Sequence, residues 1–355
     1  MSDFPMYPID QYQCKMPPEW YPQVATWVSW PHNQETWPEN LKLAQSEFVD
    51  FVRCIAQVQP VKILCGGAAM PQASQFFVSS SSIELVPIPT NDAWVRDYGP
   101  TFVWADHLEG ATPTQLVAID WQYNAWGGKY PPYDKDQQVA GLVAAKLGLN
   151  SHQPKLCFEG GGIEVNASGL MLCTRSCAFD INRNPHQSEF EIADLFRQLL
   201  GVNEIIWLAG DAIEGDDTDG HIDQLARFID DQTIVYAWSN DPHDAQYPLL
   251  ERNRQDLVAG LQRIGRSDVK LVPLPIPPAM VKFDRRIPAS YCNFLICNGL
   301  VVVPQFDSPS DDEVALKTLS ELFPDRQVLG LASLNLTVGL GSFHCLSQQQ
   351  PGLPG

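Results

Sequence analysis

GDDTDGHIDQLARF, residues 215–228, sets Asp216, Asp217 and Asp219 within four positions, closes them with Gly220, and then presents His221 and Asp223. The residues after Gly220 alternate like a strand leaving a turn, and strand residues two apart share one face of a sheet. His221 and Asp223 are therefore expected side by side, a base next to a carboxylate, which suits proton transfer. A solvated acidic turn before an ordinary edge strand is the plainer reading of the same residues. A calcium loop does not fit. With Gly220 at the sixth loop position, the first would be Gly215 and the twelfth Ala226, so two key ligands are missing.

Working outward, EFEIADLFRQLLG reads as an amphipathic helix and EIIWLAG as a strand, leading into the acidic turn; TIVYAWS follows as a hairpin partner. YPLLERNRQDLVAGLQRIG is helical, KLVPLPIP extended, and ASYCNFLICNGLVVVPQF a hairpin around Asn298 and Gly299. DDEVALKTLSELFP is helical and QVLGLAS extended before the closing LGSFHCLSQQQP. Upstream, VATWVSW is a short strand among prolines, with Trp20, Trp27, Trp30 and Trp37 as core or pocket-wall residues. Residues 40–58 have helical spacing; VKILCGG and IELVPIP are strands with a short helix around residues 70–77 between them. TFVWA is a strand after the loop holding Asp92, Trp94, Arg96 and Asp97, and DKDQQVAGLVAAKLG is a helix. A strand then ends at Glu159, three glycines turn the chain, and a hairpin forms around NASG.

Turn-flanked strands thus recur near Trp94, Glu159, His221, Tyr291 and Cys345 at intervals of about 55 to 70 residues, most with an intervening helix. A repeated two-strand, helix, strand unit predicts an α/β fold: a ring of five αβ blades, an αβ propeller whose loops meet at a central channel. A doubly wound sheet is the competing architecture.

The chain has 355 residues, 45% hydrophobic and 18% charged, an ordinary globular composition. Its formal net charge of −19 argues against nucleic acid or anionic membranes as partners and suits a cationic ligand. MSDFPMYPIDQYQ lacks a basic start and an apolar core, so no signal peptide is expected. No apolar run reaches the roughly 20 residues of a membrane span. A cytoplasmic location is expected. Nine scattered cysteines make no disulfide framework, and neither Cys173 with Cys177 nor Cys292 with Cys297 has tight zinc-ligand spacing.

Four segments combine into one chemical set: Asp97 in WVRDYGP, Glu159 in FEGGG, His221 and Asp223 in GHID, and Cys345 in GSFHCLSQQQP. A thiol with a histidine is the minimum for nucleophilic catalysis. His344 neighbours Cys345, so on a strand it points to the opposite face, and His221 is the better base.

NDAWVRDYGP, FEGGG, GDDTDGHID and GSFHCLSQQQP resemble the motif set of the agmatine deiminases, grouped with the bacterial-type peptidylarginine deiminases among guanidino-modifying enzymes. PPEWYPQVATWVSWPHN and NRNPH (182–186) match too, so the resemblance spans essentially the whole chain. It implies one catalytic domain over residues 1–355, a five-bladed αβ propeller, with no metal or organic cofactor. It also implies hydrolysis of agmatine to N-carbamoylputrescine and ammonia, a step of polyamine and putrescine metabolism, and self-association as relatives commonly show. By motif, Cys345 is the expected nucleophile, His221 the general acid and base, Asp97 and Asp223 the guanidinium ligands, and Glu159 their support. Asp217 and Asp216 would hold the substrate amine, with Trp94 flanking the alkyl chain.

The chemistry suits those residue types, because paired carboxylates bind a planar guanidinium bidentately and orient its carbon. A free thiol titrates near about 8.5, so the nucleophile needs activation; a cation nearby favours thiolate, whereas Asp97 and Asp223 oppose it. Arg96 and Arg227 are expected in structural salt bridges. Asp219 stands where some relatives have Asn, and Ser342 stands in a loop usually richer in glycine; Asp219 would strengthen amine binding or be solvated. Peptidylarginine deimination, a non-catalytic guanidine- or polyamine-binding protein, and an amide-cleaving cysteine hydrolase are the rival functions. The last would need an oxyanion hole rather than carboxylates facing its substrate.

Overall fold

In five sheets of the computed structural model the chain makes the same move: an antiparallel strand pair, a helix, and a return strand parallel to the second of the pair. Thr101–His107 pairs with Gln115–Ile119, and the return strand Asn150–His152 follows the helix Val139–Leu147. Glu164–Val165 and Leu170–Thr174 are followed by the helix Glu189–Leu200 and Glu204–Leu208. Ala226–Asp230 and Thr233–Trp238 lead to the helix Tyr247–Arg263 and Lys270–Pro275. Leu295–Cys297 and Leu300–Gln305 lead to the helix Pro309–Leu322 and Gln327–Ala332.

The fifth sheet draws on both parts of the chain. Ser347–Pro351 pairs antiparallel with Gln23–Ser29, which is followed by the helix Leu41–Ile55 and the parallel Val61–Leu64, with Ile83–Val86 beyond. Tyr12–Lys15 extends the sheet of Thr101–His107, and Val281–Lys282 with Arg285–Arg286 forms a small separate hairpin. A parallel return requires a crossover, which is why each helix stands where it does. The structure describes residues 8–110, 113–210 and 213–354; among these residues no sheet is closed on itself and no helix is long and apolar enough to cross a membrane. Residues 1–7, half of the opening stretch in which no signal peptide was expected, lie outside the described residues.

Local chemistry accounts for the helices. Leu41–Ile55 buries Ala44, Phe48, Phe51, Val52 and Ile55 along one face, the spacing of an amphipathic helix. Glu189–Leu200 opens with a reciprocal capping box between Ser188 and Glu191 and stops at Gly201, whose φ of 67° is the left-handed conformation of a helix C-terminus. Trp27, Trp30 and Trp37 are fully buried and Trp20 is half-buried. Phe51 stacks on Phe343 at 4.5 Å, and Trp37 lies 5.4 Å from Trp94. Each such pair contributes about 0.5–1.5 kcal/mol beyond simple burial. Together they anchor the loops that carry Trp94 and Cys345.

Two expectations are corrected here. Small mixed sheets replace the doubly wound alternative, and the strand expected to end at Glu159 reduces to one bridge between Gln122 and Cys157.

Candidate active site

The five loops that precede the first strand of each pair carry the candidate side chains: Trp94 and Asp97, Glu159, His221 and Asp223, Asn293, and Cys345. The stretch from His221 is not yet a strand. Ile222–Gln224 is a single 3-10 turn and the strand begins at Ala226, so the same-face argument for His221 and Asp223 does not apply. They still reach one site, by different partners.

His221 is fully buried, with Nδ1 3.5 Å from Asp97 Oδ1 and Nε2 3.6 Å from Glu159 Oε2. Burial opposes its charge, but Asp97, Cys177 and Glu159 outweigh that and raise the ring well above the ordinary histidine range. Asp97 Oδ1 accepts from the Gly161 amide at 3.0 Å and Oδ2 from the Trp126 indole at 3.0 Å. Burial pushes Asp97 up to about 6, with Asp223 and Glu159 adding and His221 opposing. Glu159 is gripped by Arg183 Nε at 2.8 and 3.1 Å; burial would raise it, but Arg183 and His221 bring it down to about 2.

Asp223 accepts from His344 Nδ1 at 2.7 Å and lies 3.5 Å from the Cys345 Sγ, both through Oδ2. Its burial is outweighed by His344, His221 and Arg227, which hold it below the usual carboxylate range. Asn293 Nδ2 donates to Cys345 Sγ at 3.1 Å, while its Oδ1 accepts from the amides of Ser342 and Cys345. Burial and the charges of Asp223 and Asp97 push the Cys345 thiol well up, against that opposing bond from Asn293.

A cavity of about 610 Å³ opens onto this cluster, lined by Trp94, Asp97, Trp126, Asp217, Gly341 and Cys345 among others, a volume within the range of small-molecule sites. Exposed Lys129, Tyr130 and Arg285 mark its open side. Asp217 lines it and bonds the Tyr130 hydroxyl. Asp216 does not line it; its carboxylate is turned into its own loop, accepting from the Thr218 hydroxyl and the Thr218 and Gly220 amides. Asp219, partly exposed, does not line the cavity; Lys129 and Arg183 pair with it at 2.7 and 2.6 Å.

Other expectations resolve as follows. Arg227 is in the expected salt bridges, with Glu19 and Glu164. Arg96 instead donates to the His344 carbonyl and the Gln349 side chain. Ser342 costs the loop nothing visible, its hydroxyl meeting that of Ser333 at 2.6 Å. Residues 343–346 form a turn rather than a strand, so the His344 ring faces Asp223 instead of pointing away. All nine cysteines are free and buried.

Sequence reasoning missed Asn293, Arg183, Trp126, Cys177 and Glu19 as site components. Asn293 sits beside Tyr291, already marked as the fourth recurrent turn, and the repeat itself was a usable signal. Arg183 lies within the quoted NRNPH and Glu19 within PPEWYPQ, but charge alone does not say which acid or base a buried residue will meet.

A buried thiol and Asp97 on the wall of a cavity, with an imidazole and two further carboxylates packed behind them on a mixed α/β fold, define a protein equipped for covalent chemistry on a planar cation. The chain belongs to the Porphyromonas-type peptidyl-arginine deiminase family, which matches residues 15–351. It is 35% identical over 362 residues to the agmatine deiminase of Ectopseudomonas mendocina, covering 96% of each chain. To that of Pseudomonas putida it is 33% identical over 359 residues, covering 95% of each. Among solved structures it is similar to a C. jejuni agmatine deiminase with substrate bound, with a TM-score of 0.85, 29% identity and 96% of each chain covered. For the agmatine deiminase of Enterococcus faecalis the TM-score is 0.87, with 28% identity and 98% of each chain covered.

Proposed function

We propose that the protein hydrolyses agmatine to N-carbamoylputrescine and ammonia, within polyamine metabolism. The observation that carries this reading is the Cys345 thiol set 3.5 Å from Asp223, on the wall of a cavity that also holds Asp97 and Asp217, in a chain so similar to agmatine deiminases. Asp97 and Asp223 grip the guanidinium, with Glu159 supporting His221; Asp217 meets the distal ammonium and Trp94 flanks the chain between. Asp216 serves this end indirectly, by shaping the turn.

The carboxylates that raise the Cys345 thiol are the ones that bind substrate. An arriving guanidinium neutralises them, and the thiol ionises beside its target, its proton passing to solvent. Cys345 Sγ then bonds to the guanidinium carbon. His221, held as an imidazolium, gives its proton to the departing nitrogen, the C–N bond breaks, and ammonia leaves an amidino-thioether. Neutral His221 takes a proton from water, whose oxygen bonds to the same carbon. Cleavage of the C–S bond returns the thiol and releases the ureido product.

The same reading takes residues 1–355 as one catalytic domain and the five recurring sheets as blades of an αβ propeller, each sending one loop to the site. It includes self-association, and a cytoplasmic setting in keeping with nine unbridged cysteines. The test is ammonia release from agmatine, arginine and a peptidyl-arginine substrate by wild type and Cys345→Ser. Turnover of agmatine alone, abolished in the variant, is expected. Preference for peptidyl arginine removes the role given to Asp217, and no ammonia from any of the three returns the chain to a binding function.

A further inference from the structure

Behind Asp223 runs a buried chain of alternating acidic and basic side chains that no step above uses. His344 Nδ1 meets Asp223 Oδ2 at 2.7 Å, and its Nε2 meets Glu19 Oε2 at 3.0 Å. Glu19 in turn pairs with Arg227 through the same oxygen, while its Oε1 accepts from the Ile296 amide at 2.7 Å. Arg227 continues to Glu164 at 2.8 Å and lies over the Phe294 ring at 4.7 Å. None of these five residues is more than 6% exposed. A histidine ring with a carboxylate oxygen at each nitrogen donates in both directions only when it carries a hydrogen on each. The order Glu164, Arg227, Glu19, His344, Asp223 alternates acidic and basic side chains.

The end of the chain meets the cavity wall at Cys345, whose Sγ lies 3.5 Å from Asp223 Oδ2. Asp223 Oδ2 is occupied by His344, whereas Oδ1 is buried with no hydrogen-bond partner among the described residues. A buried carboxylate oxygen without a donor is costly unless something that binds there supplies one.

We infer that His344, held doubly bonded by Glu19, is a positioning residue: it fixes Asp223 through one oxygen and leaves the other free for a substrate N–H. The inference rests on the proposed deimination, since it assigns the free oxygen to the guanidinium. Glu19 comes from the N-terminal segment and His344 from the last turn, so the closing sheet sets this geometry. The groups acting on Asp223 are His344, Cys345, His221, Asp97, Arg227, Arg96 and Cys292; those acting on Glu19 are Arg227, His344, Arg96, Glu164 and Cys297.

The test compares wild type, Glu19→Gln, His344→Gln and Glu164→Gln, measuring kcat and KM for agmatine across pH together with melting temperature. In Glu19→Gln the KM rises by about tenfold at neutral pH, the loss typical when a ligand's supporting partner is removed, with a smaller effect on kcat. Asp223, less supported, titrates higher, so the acid side of the kcat/KM profile steepens from one proton toward two. His344→Gln does the same. Glu164→Gln, on the far side of Arg227, lowers the melting temperature and leaves the profile as in wild type. Variants at Glu19 and His344 that lose only heat stability, with unchanged KM and a one-proton acid side, overturn the inference. So does an equal change of profile in Glu164→Gln. An inactive wild type overturns instead the deimination on which it rests.

Discussion

Asp97 faces two opposed demands, and the conflict predicts how the protein responds to pH. The proposed grip on a guanidinium needs the carboxylate ionised, yet burial lifts Asp97 to about 6. Its ordinary value is near about 3.9. A raised folded value means that the protonated form is the better tolerated one, so the contribution to stability is complete below the ordinary value and is lost as pH rises through about 6. Asp97→Asn is accordingly expected to be more heat-stable than the parent at pH 7.5, by on the order of 2 kcal/mol, and to lose that margin as pH falls toward 4. The same variant loses about a hundredfold or more in kcat/KM, because a site built around the charge has been emptied of it. Melting curves across pH, read against agmatine turnover, check both halves. A variant less stable than the parent at every pH would show that Asp97 is structural.

At the scale of elements, the FEGGG loop shows how the backbone sets the site. A Cβ on Gly161 would stand 2.5 Å from His221 Nδ1 and 2.7 Å from Asp97 Oδ1, while its φ is not in the left-handed region. Alanine there suits the local backbone but collides with the His221 ring and the Asp97 carboxylate at once. Gly161→Ala is expected to fold and melt close to wild type while kcat/KM falls by about 10²-fold, the cost of displacing reacting groups by about an ångström. Arg183→Met probes the neighbouring turn: it takes away the guanidinium that grips the buried Glu159 at 2.8 Å, and should cost about 3–5 kcal/mol in denaturant unfolding. These loops also mark where sequence reading stops. The helices and hairpins were legible because their periodicity and turn residues are local, and Leu41–Ile55, Glu189–Leu200 and the Asn298–Gly299 hairpin lie where the spacing predicts. The 3-10 turn at Ile222–Gln224 was not, because an alternating pattern continues through it without a break. The direction of the His344 ring was not legible either, since it depends on a turn at residues 343–346 that its own residues do not announce.

At the scale of the molecule, the recurrence of turn-flanked strands was readable from spacing, whereas the pairing of Ser347–Pro351 with Gln23–Ser29 joins residues more than 300 positions apart and leaves no local trace. The motif resemblance named Cys345, His221, Asp97, Asp223 and Glu159 together, but their supporting partners Asn293, Arg183 and Glu19 follow only from that long-range closure. One whole-molecule property needs no structure: the formal net charge of −19. Agmatine carries a cation at each end, so the summed field raises its concentration near the protein and speeds encounter. Screening at about 10 Å in 0.1 M salt shortens the reach of that field while leaving the buried pairs around Cys345 nearly untouched. Between 10 and 300 mM salt, kcat/KM for agmatine is therefore expected to fall by about three- to tenfold, with kcat at saturation unchanged. A monocationic alkylguanidine should show a smaller slope, having half the charge to steer. Asp217→Asn should flatten the agmatine slope only slightly, because one carboxylate among 42 acidic residues alters the local contact far more than the distant field. Equal salt slopes for the two substrates would mean that the surface charge plays no part in capture, and that selectivity for the dication arises wholly inside the cavity.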